Sequence, residues 1–255
     1  MSHERLAVPG AELDDLDLAA MEAYVVQRAP GLVESGSLED AGIRLGLLAK
    51  AAPRVTPTPV GLLIFGRAPQ LVQPDWGIAA VAVRGTTLAE AVVMRLDLEG
   101  NLAALVAQAL GFVRGQAGGR GTAALPEGAE EYPEDAVREA VVNALVHRDL
   151  RRTGRVAVRL FSDRLEVWSP GGLPEGLSDL EDSLREGGVS HPRNPLLAST
   201  ARVLGIGEQL GRGLPVMART GGSNSRRVEI RTSPRDVLVV LPSRWQRPQA
   251  SEALS

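Results

Sequence analysis

Glu139, Asn143 and His147 stand four residues apart in the stretch REAVVNALVHRD, residues 138–149. A carboxylate can orient or deprotonate a water, and a carboxamide oxygen can join the oxygen shell of a hard cation such as Mg2+. On a helix, at about 100° per residue, the three fall within an arc of about 80°. Val137, Ala140, Val141, Ala144 and Leu145 take the opposite arc, and Val142 and Val146 flank the polar column. A buried polar group without a partner costs about 1–3 kcal/mol, so the column must face water, another polar group or a ligand. An ordinary amphipathic helix with one solvated side satisfies the spacing. The flanking valines point instead to the floor of a pocket, because a solvated face would carry Lys, Arg or Glu there.

Other chemistries are excluded by what the sequence lacks. HRDL (147–150) opens like a protein-kinase catalytic loop, but the asparagine that loop requires falls on Gly154. There is no GxxxxGK[ST] phosphate loop, and Lys50 is the only lysine. The three histidines, His3, His147 and His191, form no compact metal spacing. No cysteine is present, which removes disulfides, thiolate metal sites and cysteine nucleophiles and fits a reducing compartment. The net charge of −3 gives no global attraction to nucleic acid or anionic membrane, although the C-terminal half is richer in arginine than in acids. No apolar run approaches the ~18 residues of a membrane span. The N-terminus MSHERLAVPGAELDD carries no apolar signal core. The expectation is a soluble cytoplasmic protein with no membrane partner.

The elements that must position the column follow from periodicity and turn residues. Residues 1–13 read as a loose arm. Helical spacing covers 15–29, and Ser37 with Asp40 starts a second helix over 37–50. GLLIFG (61–66) is too short to assign by period. Strands are expected over 77–85 and 91–98, a helix over 98–116, and a Gly/Pro-rich linker over 116–133. The helix with the polar column follows. A hairpin over 156–169 turns at Ser162 and Asp163, and 226–231 and 236–241 form a second strand pair. Between them lie a polar segment broken by Gly and Pro and two helices separated by glycines.

At this point several separated motifs resemble one family. Glu139-x-x-x-Asn143 on a helix looks like the N-box of the GHKL superfamily, which includes gyrase, heat-shock chaperone and histidine-kinase ATPases. YPEDAVREAVVNALVHRDL (132–150), SDRLEVWSPGGLP (162–174), HPRNP (191–195) and EQLGRG (208–213) follow in the order of one narrower branch. That branch occurs in bacterial transcriptional regulators labelled RecG-helicase-related. The resemblance covers about residues 125–242. Residues 40–84 also resemble the segment before the ATPase part in that branch. The Alba-like, Schlafen-related DNA-binding domain that usually comes first in that branch is not expected among these residues.

The resemblance implies an α/β sandwich with a mixed, largely antiparallel sheet and helices on one face. It divides the chain into an N-terminal α/β region (1–120), a nucleotide-binding domain (121–245) and a disordered tail (246–255). It implies ATP and Mg2+ as cofactors, with Glu139 acting on the attacking water and Asn143 holding Mg2+. His147, Ser169, Gly171, Gly172, Arg193, Asn194, Gly211, Arg212 and Gly213 fall at the remaining nucleotide-binding positions. His147 and Arg148 also lie where cations complement a helix C-terminus. One departure stands out: the family usually carries Asp-x-Gly where this chain has Ser169-Pro170-Gly171, and that Asp recognises the adenine amino group. The implied function is a nucleotide-dependent switch in a regulatory protein, with slow or no ATP hydrolysis. Two alternatives stay open. One is a regulator that binds DNA, directly or through a DNA-binding partner protein. The other is a degenerate scaffold that forms a homodimer and binds no nucleotide.

Overall fold

The structure, a computed structural model, describes residues 3–34, 36–117, 130–173, 192–206 and 228–244. The polar column lies on a helix over Glu134–Val146. Pro133 sits at its N-cap and Glu134 and Asp135 occupy its first turn, where negative charge suits the exposed N–H groups. Eight of its residues, all Ala, Val or Leu, are buried. In chain order this helix is α7, after α1 (Leu18–Arg28), α2 (Pro30–Glu34), α3 (Leu38–Leu45), α4 (Pro59–Phe65), α5 (Pro69–Val72) and α6 (Leu102–Ala117). A later helix, α8, spans Pro195–Val203.

β1 (Leu48–Ala51) and β2 (Arg54–Pro57) form a small hairpin. The main sheet contains β3 (Ile78–Val83), β4 (Val92–Leu98), β5 (Val156–Leu160), β6 (Arg164–Pro170), β7 (Glu229–Thr232) and β8 (Asp236–Pro242). Its order is β4-β3-β5-β6-β8-β7. β3 and β5 run parallel and every other neighbour pair is antiparallel. The fold is therefore a mixed α/β arrangement, with a sheet drawn from both sides of residue 120. The parallel pair needs a long crossover, and β4, α6 and α7 lie within it.

Alternation along the strands sends Ile78, Ala80, Val156, Val158, Leu165 and Val167 to one face, all buried. α6 and α7 pack side by side on that face, α6 over β3–β5 and α7 over β5–β6. Arg114 of α6 and Arg138 of α7 both reach Glu134, tying the two helices at the start of α7. The opposite face carries Arg159, Glu166 and Trp168, with Glu166 held between Arg159 and Arg164.

Two expectations are corrected, and one segment left unassigned by its period is placed. The N-terminal arm is docked rather than loose. Val8 donates to the Pro57 carbonyl, Leu16 bridges Gly66, and Val8, Ala11 and Leu16 are buried. These apolar residues follow no helix or strand period, so pattern reading passes over them. The helix expected over 37–50 stops at Leu45, because Gly46 takes a left-handed conformation at φ +75° and turns the chain into β1. Ser37 does cap its start, accepting from the Asp40 N–H at 3.1 Å. GLLIFG belongs to α4, whose seven residues are all buried behind a Thr58 cap. The expected strands, the helix over α6 and the two strand pairs fall where the sequence places them. The second helix expected after 195 and the tail from 246 lie outside the described residues. Among the described residues no helix is long and apolar enough to cross a membrane.

Candidate functional site

Glu139, Asn143 and His147 form the partly exposed side of α7 and its cap, between residues that are buried on either hand. The Asn143 side-chain nitrogen donates to Glu139 Oε1 at 2.7 Å. A carboxylate takes the amide nitrogen and repels the amide oxygen, so this bond fixes the carboxamide and turns Asn143 Oδ1 away from Glu139. The pair thus offers a carboxylate and an oriented carboxamide oxygen side by side.

His147 closes the helix as its C-cap, with its N–H on the Asn143 carbonyl. Withdrawal from water lowers its imidazole pKa to about 4, and the nearby positive charge of Arg193 acts in the same direction. The ring is neutral at pH 7. It therefore brings no charge to the helix C-terminus, which corrects the dipole reading of His147. Arg148 does not serve the helix end by side-chain charge either. It is 1% exposed and donates to the backbone carbonyls of Asp75, Arg152 and Gly154. Burial lowers its pKa to about 10, against the pull of Asp75 and Asp149, so it stays protonated. Asp149 accepts from the backbone and side chain of Arg151 and lies near Arg152 and Arg193. Those Arg151 hydrogen bonds, stronger than the opposing effect of burial, hold its carboxyl at about 2.

The other sequence candidates gather around this turn. Ser169, at the end of β6, donates its hydroxyl to the Ala144 carbonyl at 2.7 Å and is buried. Its one proton joins the sheet to α7, so toward any ligand Ser169 Oγ can only accept. Gly171 sits at φ +105°, its N–H on the Arg235 carbonyl, while Pro170 accepts from the Asp149 N–H. A Cβ at Gly171 would lie 2.7 Å from Asp149 Cβ, and one at Gly172 would lie 2.3 Å from the Ser233 carbonyl oxygen. Both glycines let β6, the turn after α7 and the β7–β8 turn meet backbone to backbone. Arg193 donates to the Gly172 carbonyl at 2.6 Å. Asn194 is buried and donates to the carbonyls of Val146 and Arg148, capping the open end of α7 from outside. Glu139, Asn143, His147, Ser169, Gly171, Gly172, Arg193 and Asn194 are therefore all on or next to α7 and its cap. Gly211, Arg212 and Gly213 lie outside the described residues.

Sequence reasoning missed the packing role of Arg148. The clue was its place between His147 and Asp149 directly after an apolar helix, where a long side chain can fold back on loop carbonyls. It also missed Glu4, which is buried and accepts from the N–H groups of Leu196 and Leu197 at the start of α8. That contact joins the arm to the segment carrying Arg193 and Asn194.

Among the described residues no group of three or more His, Asp or Glu side chains is placed to hold a metal by itself. Asn143 Oδ1 would be one oxygen donor to an Mg2+ ion, which takes few protein ligands, and such an ion would supply charge stabilisation there.

Residues 154–241, about a third of the chain, match the family described as "Putative ATP-dependent DNA helicase recG C-terminal". The match begins after α7, so it contains neither Glu139 nor Asn143. No protein of curated function matches the sequence. Among solved structures, the chain is similar to the DIP2311 protein from Corynebacterium diphtheriae, with 23% identity and a TM-score of 0.64. That alignment covers 97% of this chain and 41% of the other, so this chain spans about two fifths of the longer protein. The likeness is one of fold.

Proposed function

We propose that the chain is a nucleotide-binding module that takes ATP with Mg2+ over the polar column of α7, with hydrolysis slow or absent. The observation that carries this reading is the Glu139–Asn143 pair. It is an oriented carboxylate and carboxamide on the one open side of an otherwise buried helix. The partial match to an ATP-dependent family supports it from the strands that follow. In this reading Asn143 Oδ1 binds Mg2+ held by the phosphates, and Glu139 positions or deprotonates water. Neutral His147 and Arg193 border the same side. Gly171 and Gly172 let the chain approach closely, and Gly211, Arg212 and Gly213 contribute phosphate contacts. Mg2+ supplies Lewis-acid stabilisation of phosphate charge when bound. In this reading the α/β sandwich is of the GHKL type, and a change of shape on binding makes the module a switch within a regulatory protein.

Ser169 limits what the site can read. With its proton on Ala144, it accepts one hydrogen bond from a base amino group and supplies no negative charge. Discrimination between adenine and other bases is therefore weak. Direct DNA binding finds less support, because Arg155, Arg159, Arg164 and Arg231 are engaged with carboxylates, which leaves Arg95 as a lone cation on that face of the sheet among the described residues.

Titration calorimetry with a non-hydrolysable ATP analogue and Mg2+ tests the proposal. Saturable heat is expected in the wild type, no heat from Mg2+ alone, and at least about tenfold weaker binding in Asn143→Ala. Glu139→Gln should keep binding and abolish any turnover. Absence of heat from ATP, ADP and GTP in the folded protein would sink the reading. So would undiminished binding by Asn143→Ala.

A further inference from the structure

β4 is the outermost strand on its side of the sheet, and among the described residues nothing pairs with its outer edge. Such an edge presents unpaired N–H and C=O groups, a hazard that proteins normally limit with short, charged or covered strands. β4, seven residues long, carries Arg95 and Asp97 but leaves most of its apolar side chains exposed. Val92, Val93, Met94 and Leu96 are between 37% and 55% exposed, and with Leu88 they are five of the ten large hydrophobic residues left exposed among those described. Behind the strand, Met94 and Leu96 line an apolar groove against Gly111, Phe112 and Gly115 of α6. A Cβ at Gly111 or Gly115 would meet nothing within 4 Å, so this side of α6 is open to close approach.

We propose that this edge is a self-association surface, where β4 pairs antiparallel with the β4 of a second copy about a two-fold axis at Leu96. The sequence of the strand selects that occupant and that register. Pairing with β3 puts Arg95 opposite Val81 and Asp97 opposite Ala79, so both charges project to the face away from α6. Met94, Leu96 and Leu98 project toward α6. A two-fold axis at Leu96 sets Arg95 opposite the partner's Asp97, and repeats that pair by symmetry. It keeps Met94, Leu96 and Leu98 on the α6 side, with Leu96 against its own copy. An axis at Arg95 or at Asp97 sets like charges directly opposite, which is destabilising. An axis between residues mixes the two faces. Arg95 makes no ion pair among the described residues, whereas Asp97 lies 3.8 Å from Arg155. The second copy supplies the partner that Arg95 lacks, and the open faces of two α6 helices come together over the joined sheets. This surface is independent of the nucleotide reading.

Sedimentation velocity on the full chain, from low to high micromolar concentration, tests it. A reversible dimer is expected for the wild type. Arg95→Asp and Asp97→Arg should each weaken it at least about tenfold, and the double exchange should restore it. Leu96→Lys should give a monomer with an unchanged circular dichroism spectrum. A wild-type monomer throughout would overturn the proposal. A dimer indifferent to Leu96→Lys, or a folded double exchange that fails to recover, would overturn it equally.

Discussion

Arg148 and Asn143 lie little more than one helical turn apart, yet the protein uses them differently. Arg148 is enclosed, and three loop carbonyls close over its guanidinium. Asn143 is partly exposed, and its nitrogen holds Glu139 in place while its oxygen turns outward. The first arrangement spends its terminal guanidinium nitrogens on backbone carbonyls, with Nε left unpaired, and joins the turn after α7 to Asp75 ahead of β3. The second orients two functional groups and leaves one of them available. Polar groups of the first kind maintain the fold, and those of the second kind are where binding chemistry is to be sought.

This contrast makes Arg148→Met the most damaging single change considered. It removes a buried cation and leaves the acceptors of Asp75, Arg152 and Gly154 without their donor. The expected loss is about 3 kcal/mol or more, read from urea unfolding. Asn143→Ala should cost less than about 1 kcal/mol on the same assay, since its side chain reaches water. Equal losses in the two variants would mean that the column is part of the scaffold and would remove the distinction.

Gly171→Ala should come next, at about 2 kcal/mol. The residue sits at φ +105°, where a side chain is strained, and its Cβ would press on Asp149. The same urea series measures it. A neutral Gly171→Ala would show that the turn after α7 can draw back from β6, and that the close contact there is not what fixes the cap.

These residues also show what could be read from the sequence. The column was legible because a period of four among apolar residues survives any tertiary context, and α7 carries it on its open side. The hairpin from β5 to β6 was legible because its turn residues and alternation agree locally. Gly46 sat in plain view, but a left-handed helix end cannot be told from a tolerated helical glycine by pattern alone. The partners of Arg148, Ser169 and Asn194 were not legible. The bonds from Arg148 to Asp75, from Ser169 to Ala144 and from Asn194 to Val146 and Arg148 each cross 25 or more residues to a backbone carbonyl, and a carbonyl has no signature in sequence. The same holds for Glu4, whose partner helix begins about 190 residues later.

The smallest effect expected is the most specific, because it separates His147 from the cluster around Asp149 by pH. The His147 pKa falls from 6.5 to about 4 in the folded protein. Between those values the unfolded chain binds the proton more readily, so stability is full above pH 6.5 and declines as pH falls toward 4. One proton sets a ceiling of about 1.4 kcal/mol per pH unit on that slope. Asp149, lowered from 3.8 to about 2, acts in a lower window. Its contribution is full above pH 3.8 and is lost as pH falls toward 2. Urea midpoints followed downward from pH 7 should therefore fall in two stages. His147→Gln should flatten the upper stage and leave the lower one, because glutamine stays neutral at the helix end. If His147→Gln left the slope between pH 6.5 and 4 untouched, the imidazole would be titrating as though in water. The ring of His147 would then be as open to water as the rest of the column, and the enclosed cluster would begin only at Arg148.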